Sequence, residues 1–132
     1  MNRFLAFPAV IIILLACSFQ CHHDDDQGPA LKGKLVLSPG CGLYVIQVLE
    51  GNIPPSKVTA SWKSPANGIT YTQVFSVMNV CTFGGYNLQQ GDVFTFELDN
   101  APPPQTCMTC QALIYYPTPS LMNAVKNVQK LK

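Results

Sequence analysis

The sequence predicts an all-β protein. From Lys32 onward, apolar residues recur mostly with a period of two, which is the period of a strand whose two faces differ. Clusters of Gly, Pro, Asn and Ser separate the alternating runs at roughly regular intervals, as turns do between short strands. Five or more short strands in about 100 residues are typical of a small barrel or a sandwich.

The first two predicted strands flank a turn at residues 38–40. Residues 33–37 form a short strand that this Ser-Pro-Gly turn ends. Residues 42–50 are apolar on both faces, so this strand should be central in the sheet, with a neighbour on each side. Residues 51–55, which include Gly51 and two prolines, cannot continue the hydrogen-bond ladder and should end it.

The next two predicted strands surround a turn at residues 64–68. Residues 58–63 alternate apolar and polar, and residues 69–79 form a longer run whose apolar face is interrupted by Gln73. Strict alternation places these apolar side chains on the buried face of their strands: Val58, Ala60 and Trp62 on the first, and Tyr71, Phe75 and Val77 on the second.

Residues 93–98 carry the clearest strand pattern in the chain, because Phe94, Phe96 and Leu98 alternate with more polar neighbours. The three consecutive prolines within residues 100–105 predict an extended loop, and residues 111–116 predict a further strand.

The C-terminal segment fits two structures. Thr118 followed by Pro119 could cap and open a helix, and Leu121, Val125 and Val128 are spaced by four and three residues. The same residues could form an edge strand guarded by lysines, since valine and asparagine are poor helix formers. The spacing slightly favours a short C-terminal helix.

The strand count and strand lengths favour a small OB-like five-stranded barrel. Two long strands must curve strongly to close such a barrel, and the backbone can kink at little cost at Gly40 and Gly42. An immunoglobulin-like β-sandwich is the alternative, with Trp62 as its central buried aromatic residue. Either architecture hosts many functions, so neither predicts one.

The N-terminus has the anatomy of a signal peptide. Arg3 precedes an apolar run, residues 4–16, of about 13 residues, which is shorter than the roughly 20 that a membrane-spanning helix needs. The run ends in Leu14-Leu15-Ala16-Cys17, which resembles the lipobox of bacterial lipoproteins. The resemblance implies that residues 1–16 are removed and that Cys17 becomes the acylated first residue of the mature protein.

The residues after Cys17 predict a lipid-anchored tether over residues 17–31, followed by a single β-rich domain over residues 32–132. Ser18 follows the cysteine, and in the lipoprotein pattern an aspartate there retains the protein in the inner membrane, so the resemblance implies the outer membrane, on its periplasmic or its cell-surface side. The polar run, with Asp24–Asp26, is too poor in apolar residues to form a core. A metal site built from Cys21, His22, His23 and these aspartates is the alternative.

Charge and composition limit the classes of partner. The net charge is +1, so the chain has no basic field that would attract nucleic acid. Charged residues make up 11% of the chain, against a typical value of about 25%. A surface rich in neutral polar groups suits a protein or glycan ligand, in addition to the membrane that the lipid anchor would contact.

Four cysteines fall within the predicted domain: Cys41, Cys81, Cys107 and Cys110. In an exported chain they predict disulfides. If residues 42–50 and 69–79 pair antiparallel, Cys41 and Cys81 lie near each other and should form a structural disulfide. Cys107 and Cys110 then form the second pair, or act as a redox C-x-x-C motif, or join the other two in a four-thiolate zinc site.

Nothing in the domain predicts catalysis. Both histidines, His22 and His23, lie in the tether, so the domain lacks a histidine base. Phe83 and Tyr86, in a glycine-rich loop, are the aromatic residues expected to be exposed for ligand contact. The sequence therefore predicts a non-enzymatic binding or interaction module without a cofactor. The alternative is a redox or metal-handling lipoprotein that uses Cys107 and Cys110.

Overall fold

The computed structural model describes residues 30–108 and 117–132. Within these ranges the chain forms seven strands, one five-residue α-helix and one 3₁₀ turn at Pro55–Lys57. The elements are β1 (Leu31–Gly40), β2 (Leu43–Glu50), β3 (Thr59–Lys63), β4 (Thr70–Val77), α1 (Val80–Gly84), β5 (Val93–Leu98), β6 (Met122–Asn123) and β7 (Val125–Lys130).

The strands form one sheet in the order β3-β4-β2-β1-β5-β7, in which all neighbours are antiparallel, while β6 pairs in parallel with β4. The prediction of an all-β fold is confirmed. The second predicted strand is central as expected, because β2 lies between β1 and β4. The order ends at β3 and β7, and the strand pairings do not join these two to each other.

Strand β1 bends sharply as it crosses the sheet. Its register against β2 shifts between Leu35 and Leu37, so Leu35 packs on one face and Val36 and Leu37 on the other. Near its start, a Cβ added to Gly33 would lie 2.8 Å from the Phe96 ring, so only glycine fits there. The strand continues through the residues predicted as a turn, and the chain reverses at residues 41–42 instead.

Two apolar clusters lie on opposite faces of this sheet. The inner cluster contains thirteen buried residues: Leu31, Leu35, Ile46, Val48, Ile53, Val58, Phe75, Val77, Phe83, Phe94, Phe96, Val125 and Val128. The outer cluster contains five buried residues: Val36, Leu37, Val45, Trp62 and Val74. Adjacent residues of β2 divide between the clusters, as the alternation of a strand buried on both faces requires.

The predictions that Tyr71 shares a face with Phe75 and that Trp62 shares one with Val58 are wrong. The Trp62 and Tyr71 rings belong to the outer cluster, where they stack with centroids 6.2 Å apart. Gln73 has a left-handed backbone with φ of 52°, which breaks the alternation between Tyr71 and Phe75. Trp62 is the register partner of Tyr71 and therefore follows it to the outer face.

The predicted C-terminal helix is also wrong, because this segment forms strand β7 on the edge of β5. Asn127 has φ of 51°, and the register against β5 shifts between Thr95 and Glu97. The extra residue of this bulge lets Val125 and Val128, three positions apart, face the same inner cluster. A bulged strand thus imitates the spacing of a helix.

Helix α1 occupies the segment that was predicted as an exposed glycine loop. Phe83 is only 1% exposed and packs in the inner cluster, with its ring 4.9 Å from that of Tyr44. Tyr86 is half-buried against the same cluster. The prediction that Phe83 is an exposed contact residue is therefore wrong, because the turn of helix directs it inward.

Several predictions fall outside the described residues. The signal peptide, the Cys17 lipidation site and the acidic tether precede residue 30, and Cys110 and the strand predicted at residues 111–116 lie between the two described ranges. None of the helices in residues 30–108 and 117–132 is long and apolar enough to cross a membrane.

Candidate functional site

The disulfide differs from the predicted pairing. Cys81 is bonded to Cys107, with their Cα atoms 5.5 Å apart. The predicted bridge between Cys41 and Cys81 is therefore wrong, and so is the predicted bridge between Cys107 and Cys110. Cys41 is itself disulfide-bonded, to a cysteine other than these two.

The error lies in the turn that follows β4, since the strand pairing is as predicted. Strands β2 and β4 pair antiparallel, with Val45 opposite Ser76. After β4 the chain enters α1, which carries Cys81 to the proline-rich loop. There the backbone N–H of Cys81 donates to Gln105 Oε1 at 2.9 Å, and the N–H of Cys107 donates to Cys81 Sγ at 3.2 Å. The disulfide thus fastens α1 to the loop that follows β5.

The disulfide between Cys81 and Cys107 tests two other predictions for the cysteines, a C-x-x-C pair with Cys110 and a four-thiolate zinc site. The Cys107 sulfur is already bonded to Cys81, so it forms no C-x-x-C disulfide with Cys110. Two bonded sulfurs cannot serve as thiolate ligands, which rules out the four-thiolate zinc site in this state. Among the described residues, no group of three or more His, Cys, Asp or Glu side chains is placed to hold a metal ion.

A pocket of about 170 Å³ lies where the 3₁₀ turn, the end of β4, the end of β5 and the start of β6 meet. Its apolar lining includes Met78, Leu98 and Met122, and its charged groups are Lys57 and Asp99. Met78 is 47% exposed and Met122 is 52% exposed, so both residues are partly open to solvent. We call this the methionine pocket.

Backbone pairing fixes the position of the two methionines. In the parallel ladder, Ser76 N–H donates to Leu121 O and Met78 N–H donates to Asn123 O, both at 2.9 Å. One residue further, Ala124 O accepts from Asp99 N–H at 2.8 Å. The segment that contains Met122 is therefore hydrogen-bonded to the end of β4 on one side and to the end of β5 on the other.

Two buried asparagines complete this framework. Asn123 Nδ2 donates to Lys57 O at 2.6 Å, which fixes the backbone of the lysine at the edge of the pocket. Asn79, just after Met78, uses both ends of its amide on one residue. Its Nδ2 donates to Val125 O at 2.7 Å, and its Oδ1 accepts from Val125 N–H at 2.9 Å. A buried amide satisfied at both ends rigidifies its surroundings.

The two charged residues of the methionine pocket, Lys57 and Asp99, form no ion pair within the described residues. The ion pairs found in the described chain, Lys32 with Glu50 and Lys130 with Asp92, lie elsewhere. Asp99 Oδ1 accepts from Ala101 N–H at 3.0 Å, whereas Lys57 is an exposed residue of the lining. The pocket can bury one apolar group of a ligand, and Lys57 can attract a negative charge on the same ligand. Both are interactions of binding.

Sequence reasoning missed this pocket entirely. It depends on strand β6, two residues long, which pairs with β4 across more than forty residues of chain. The signal that remains in the sequence is weak: Met78 and Met122 stand just outside or at the start of strands, where an apolar side chain need not be core.

Comparisons with known proteins give no match: no family model, no curated protein and no solved structure matches this chain. Its function must therefore be argued from its own residues and their geometry.

Proposed function

We propose that this chain is a bacterial lipoprotein of the outer membrane whose β domain is a non-enzymatic binding module. In this proposal Cys17 carries the lipid, residues 18–30 form the tether up to the start of β1, and the methionine pocket contacts the partner. The lipobox-like sequence Leu14-Leu15-Ala16-Cys17 and the short apolar run before it support the anchor. Two or three acyl chains would give a stable attachment, whereas one gives only a marginal one.

We further propose that the domain is an OB-like barrel. Strand order supports this: β1, β2 and β4 follow one another in the sheet, β5 lies on the other side of β1, and α1 connects β4 to β5. The consecutive carbonyls of Asn123 and Ala124 accept from Met78 on one side and Asp99 on the other, which is the bonding expected of a strand that joins β4 to β5. A sandwich would instead need Trp62 in the main core, and Trp62 lies in the outer cluster.

The observation that carries the binding proposal is the pair of half-exposed methionines at a pocket. Exposed apolar side chains gathered at a concave site mark contact surfaces more often than scattered ones do. Methionine is also the apolar side chain best able to adapt to a partner, because it is flexible and polarisable. In OB folds the loop between the last two strands contributes to ligand binding, and Asp99 and Pro102 of the pocket belong to the loop after β5.

A protein partner fits the pocket better than a glycan does. Met78, Met122 and Leu98 offer apolar surface, whereas sugars need several polar groups that converge on their hydroxyls. Two of the polar lining residues already hydrogen-bond to the backbone, because Asn123 donates to Lys57 O and Asp99 accepts from Ala101 N–H. The net charge of +1 argues against nucleic acid. The redox alternative is less favoured, because it needs Cys107 free to exchange with Cys110 and Cys107 is bonded to Cys81.

The anchor is tested by Cys17→Ala. The variant should leave the membrane fraction, and radiolabelled palmitate should mark only the wild-type protein, because the acceptor thiol is gone. Variant protein that still pellets with membranes, together with wild-type protein that takes no label, would refute the anchor.

The pocket is tested by photo-crosslinking in intact cells. A benzoylphenylalanine residue placed at Met122 should capture a discrete protein partner, since this side chain lies at the pocket and is half exposed. Ile69 is the matched control: it is 51% exposed but lies in the turn before β4, away from the pocket. Equal crosslinking from both positions, or none from Met122, would count against the pocket as the contact site.

A further inference from the structure

We propose that the methionine pocket binds the carboxyl-terminal residue of a partner polypeptide, one whose last side chain is aliphatic. This inference rests on the proposed function, because it takes the methionine pocket to be the contact site and adds the chemistry of what enters it.

The size of the pocket sets the first limit. At about 170 Å³ it is smaller than the roughly 300–1,000 Å³ of sites that enclose drug-sized ligands. It therefore accommodates a single residue. Since the apolar lining, which includes Met78, Met122 and Leu98, is aliphatic throughout, an aliphatic side chain fits it.

Charge sets the second limit. Lys57 stands at the edge of the pocket without an acidic partner in residues 30–108 and 117–132, and the bond from Asn123 Nδ2 to Lys57 O holds its backbone in place. Asp99 also lines the pocket, and one of its oxygens is bonded to Ala101 N–H. An aliphatic group accompanied by one carboxylate, placed on the Lys57 side and away from Asp99, complements these charges.

Backbone geometry decides where that carboxylate comes from. In an extended peptide, adjacent side chains point to opposite faces, so an acidic residue next to the aliphatic one would turn its carboxylate away from the pocket. An acidic residue two positions away shares the face, but it lies about 6.6 Å further along the strand, beyond a site that holds one residue. A terminal carboxylate is attached to the same Cα as the aliphatic side chain. Only the terminal residue therefore brings both groups to one small site.

The test uses the three methionines that remain after residues 1–16 are removed: Met78, Met108 and Met122. Protein labelled with ¹³C at the methionine methyl groups is titrated with N-acetylglycyl-leucine, which has a free carboxylate. The methyl signals of Met78 and Met122 should shift together. Met108 is fully exposed in the proline-rich loop and should not move, which makes it an internal control.

The role of Lys57 is tested with matched ligands and variants. N-acetylglycyl-leucinamide should bind about two- to fivefold more weakly than the free acid, which is the range expected for an exposed ion pair. N-acetylaspartyl-leucinamide, whose carboxylate is internal, should bind no better than that amide. Lys57→Gln should abolish the preference for the free acid, while Lys63→Gln, an exposed lysine on β3, should keep it.

Equal affinity for the free acid and the amide, tighter binding of the internal acid, or shifts caused by maltose but not by the peptide would each overturn the proposal. If Met122 still crosslinks a protein in cells, the binding function stands and only the carboxyl-terminal specificity fails. If Met122 captures nothing, the proposed function itself fails.

Discussion

The two apolar clusters pack on opposite faces of the same sheet and differ in the number of elements that each one connects. The inner cluster draws thirteen residues from five strands, α1 and the segment around the 3₁₀ turn, and four of them are phenylalanines. The four rings form a chain of contacts, with centroids 6.0 Å apart for Phe75 and Phe96, 5.7 Å for Phe96 and Phe94, and 6.0 Å for Phe94 and Phe83. The outer cluster has five residues, all from β1 to β4.

This difference shows which interactions define the domain. The inner cluster connects elements at both ends of the chain, so losing it should unfold the whole sheet. The outer cluster packs one half of the sheet, and a hydrogen bond from Trp62 Nε1 to Pro117 O at 3.0 Å ties it to the described part of the C-terminal segment. Loss of the outer cluster should destabilise that half of the sheet, while the inner cluster stays packed.

The largest effect should come from the inner cluster. Phe75→Ala removes a fully buried ring that contacts Phe96, and it should cost about 3–5 kcal/mol of unfolding free energy through lost burial and the cavity left behind. Urea denaturation of the purified domain measures this. A loss below about 1 kcal/mol would mean that the inner cluster does not dominate.

The next effect should come from the disulfide between α1 and the proline-rich loop. Its cysteines are 26 residues apart, and on chain-entropy grounds such a loop is worth about 3.5 kcal/mol. Cys81→Ala and Cys107→Ala should each lower stability by a similar amount, and the double variant should cost no more than either. Met108→Ala, at a fully exposed neighbour, is the control and should change little. Clearly unequal single-variant losses would contradict a shared bond.

The outer cluster should give a smaller effect. Trp62→Phe keeps an aromatic ring against Tyr71 but removes the indole N–H that donates to Pro117 O. The loss should be about 1–2 kcal/mol, from one hydrogen bond and some buried area. A loss as large as that of Phe75→Ala would show that the outer face carries as much of the stability as the inner one.

The smallest effect concerns Asp92, which lies outside both clusters. The pKa of its carboxyl is lowered, first by the backbone N–H of Gln89 that donates to Oδ2 at 2.8 Å and then by the Lys130 ammonium at 2.9 Å. A lowered pKa in the folded state stabilises the protein above the unfolded value of about 3.9, and this stabilisation is lost as the pH falls through the folded pKa. Melting curves of wild-type protein and Asp92→Asn should therefore differ at pH 7 and converge in acid. A gap that stays constant would exclude this titration as its cause.

Sequence reasoning succeeded where strand alternation is unbroken. Strand β5 lies where Phe94 and Phe96 alternate with Thr95 and Glu97, and both rings face the inner cluster as that pattern requires. It failed where a residue with left-handed backbone interrupts the alternation. At Gln73 this places Tyr71 on the outer face, and at Asn127 it gives the apolar residues of β7 the spacing of a helix. No local sequence pattern predicts such a residue, because pairing with strands distant in sequence sets its backbone conformation.

The candidate site was harder to predict than the fold. The general expectation of disulfides was right and the partner of Cys81 was wrong, because one short helix redirected this cysteine from the end of β4 to the proline-rich loop. The methionine pocket depends on Met78 and Met122 lying side by side, which follows only from the parallel pairing of β4 with β6. Contacts between segments so distant in sequence leave no periodic signal.

The energetic separation of the two clusters is tested most directly by a double-mutant cycle between Phe75→Leu and Trp62→Phe. The two side chains lie on opposite faces of the sheet and belong to different clusters. The losses in unfolding free energy should therefore add to within about 0.5 kcal/mol. An interaction energy above about 1 kcal/mol would contradict this result and show that the sheet transmits packing from one face to the other, as a single core would.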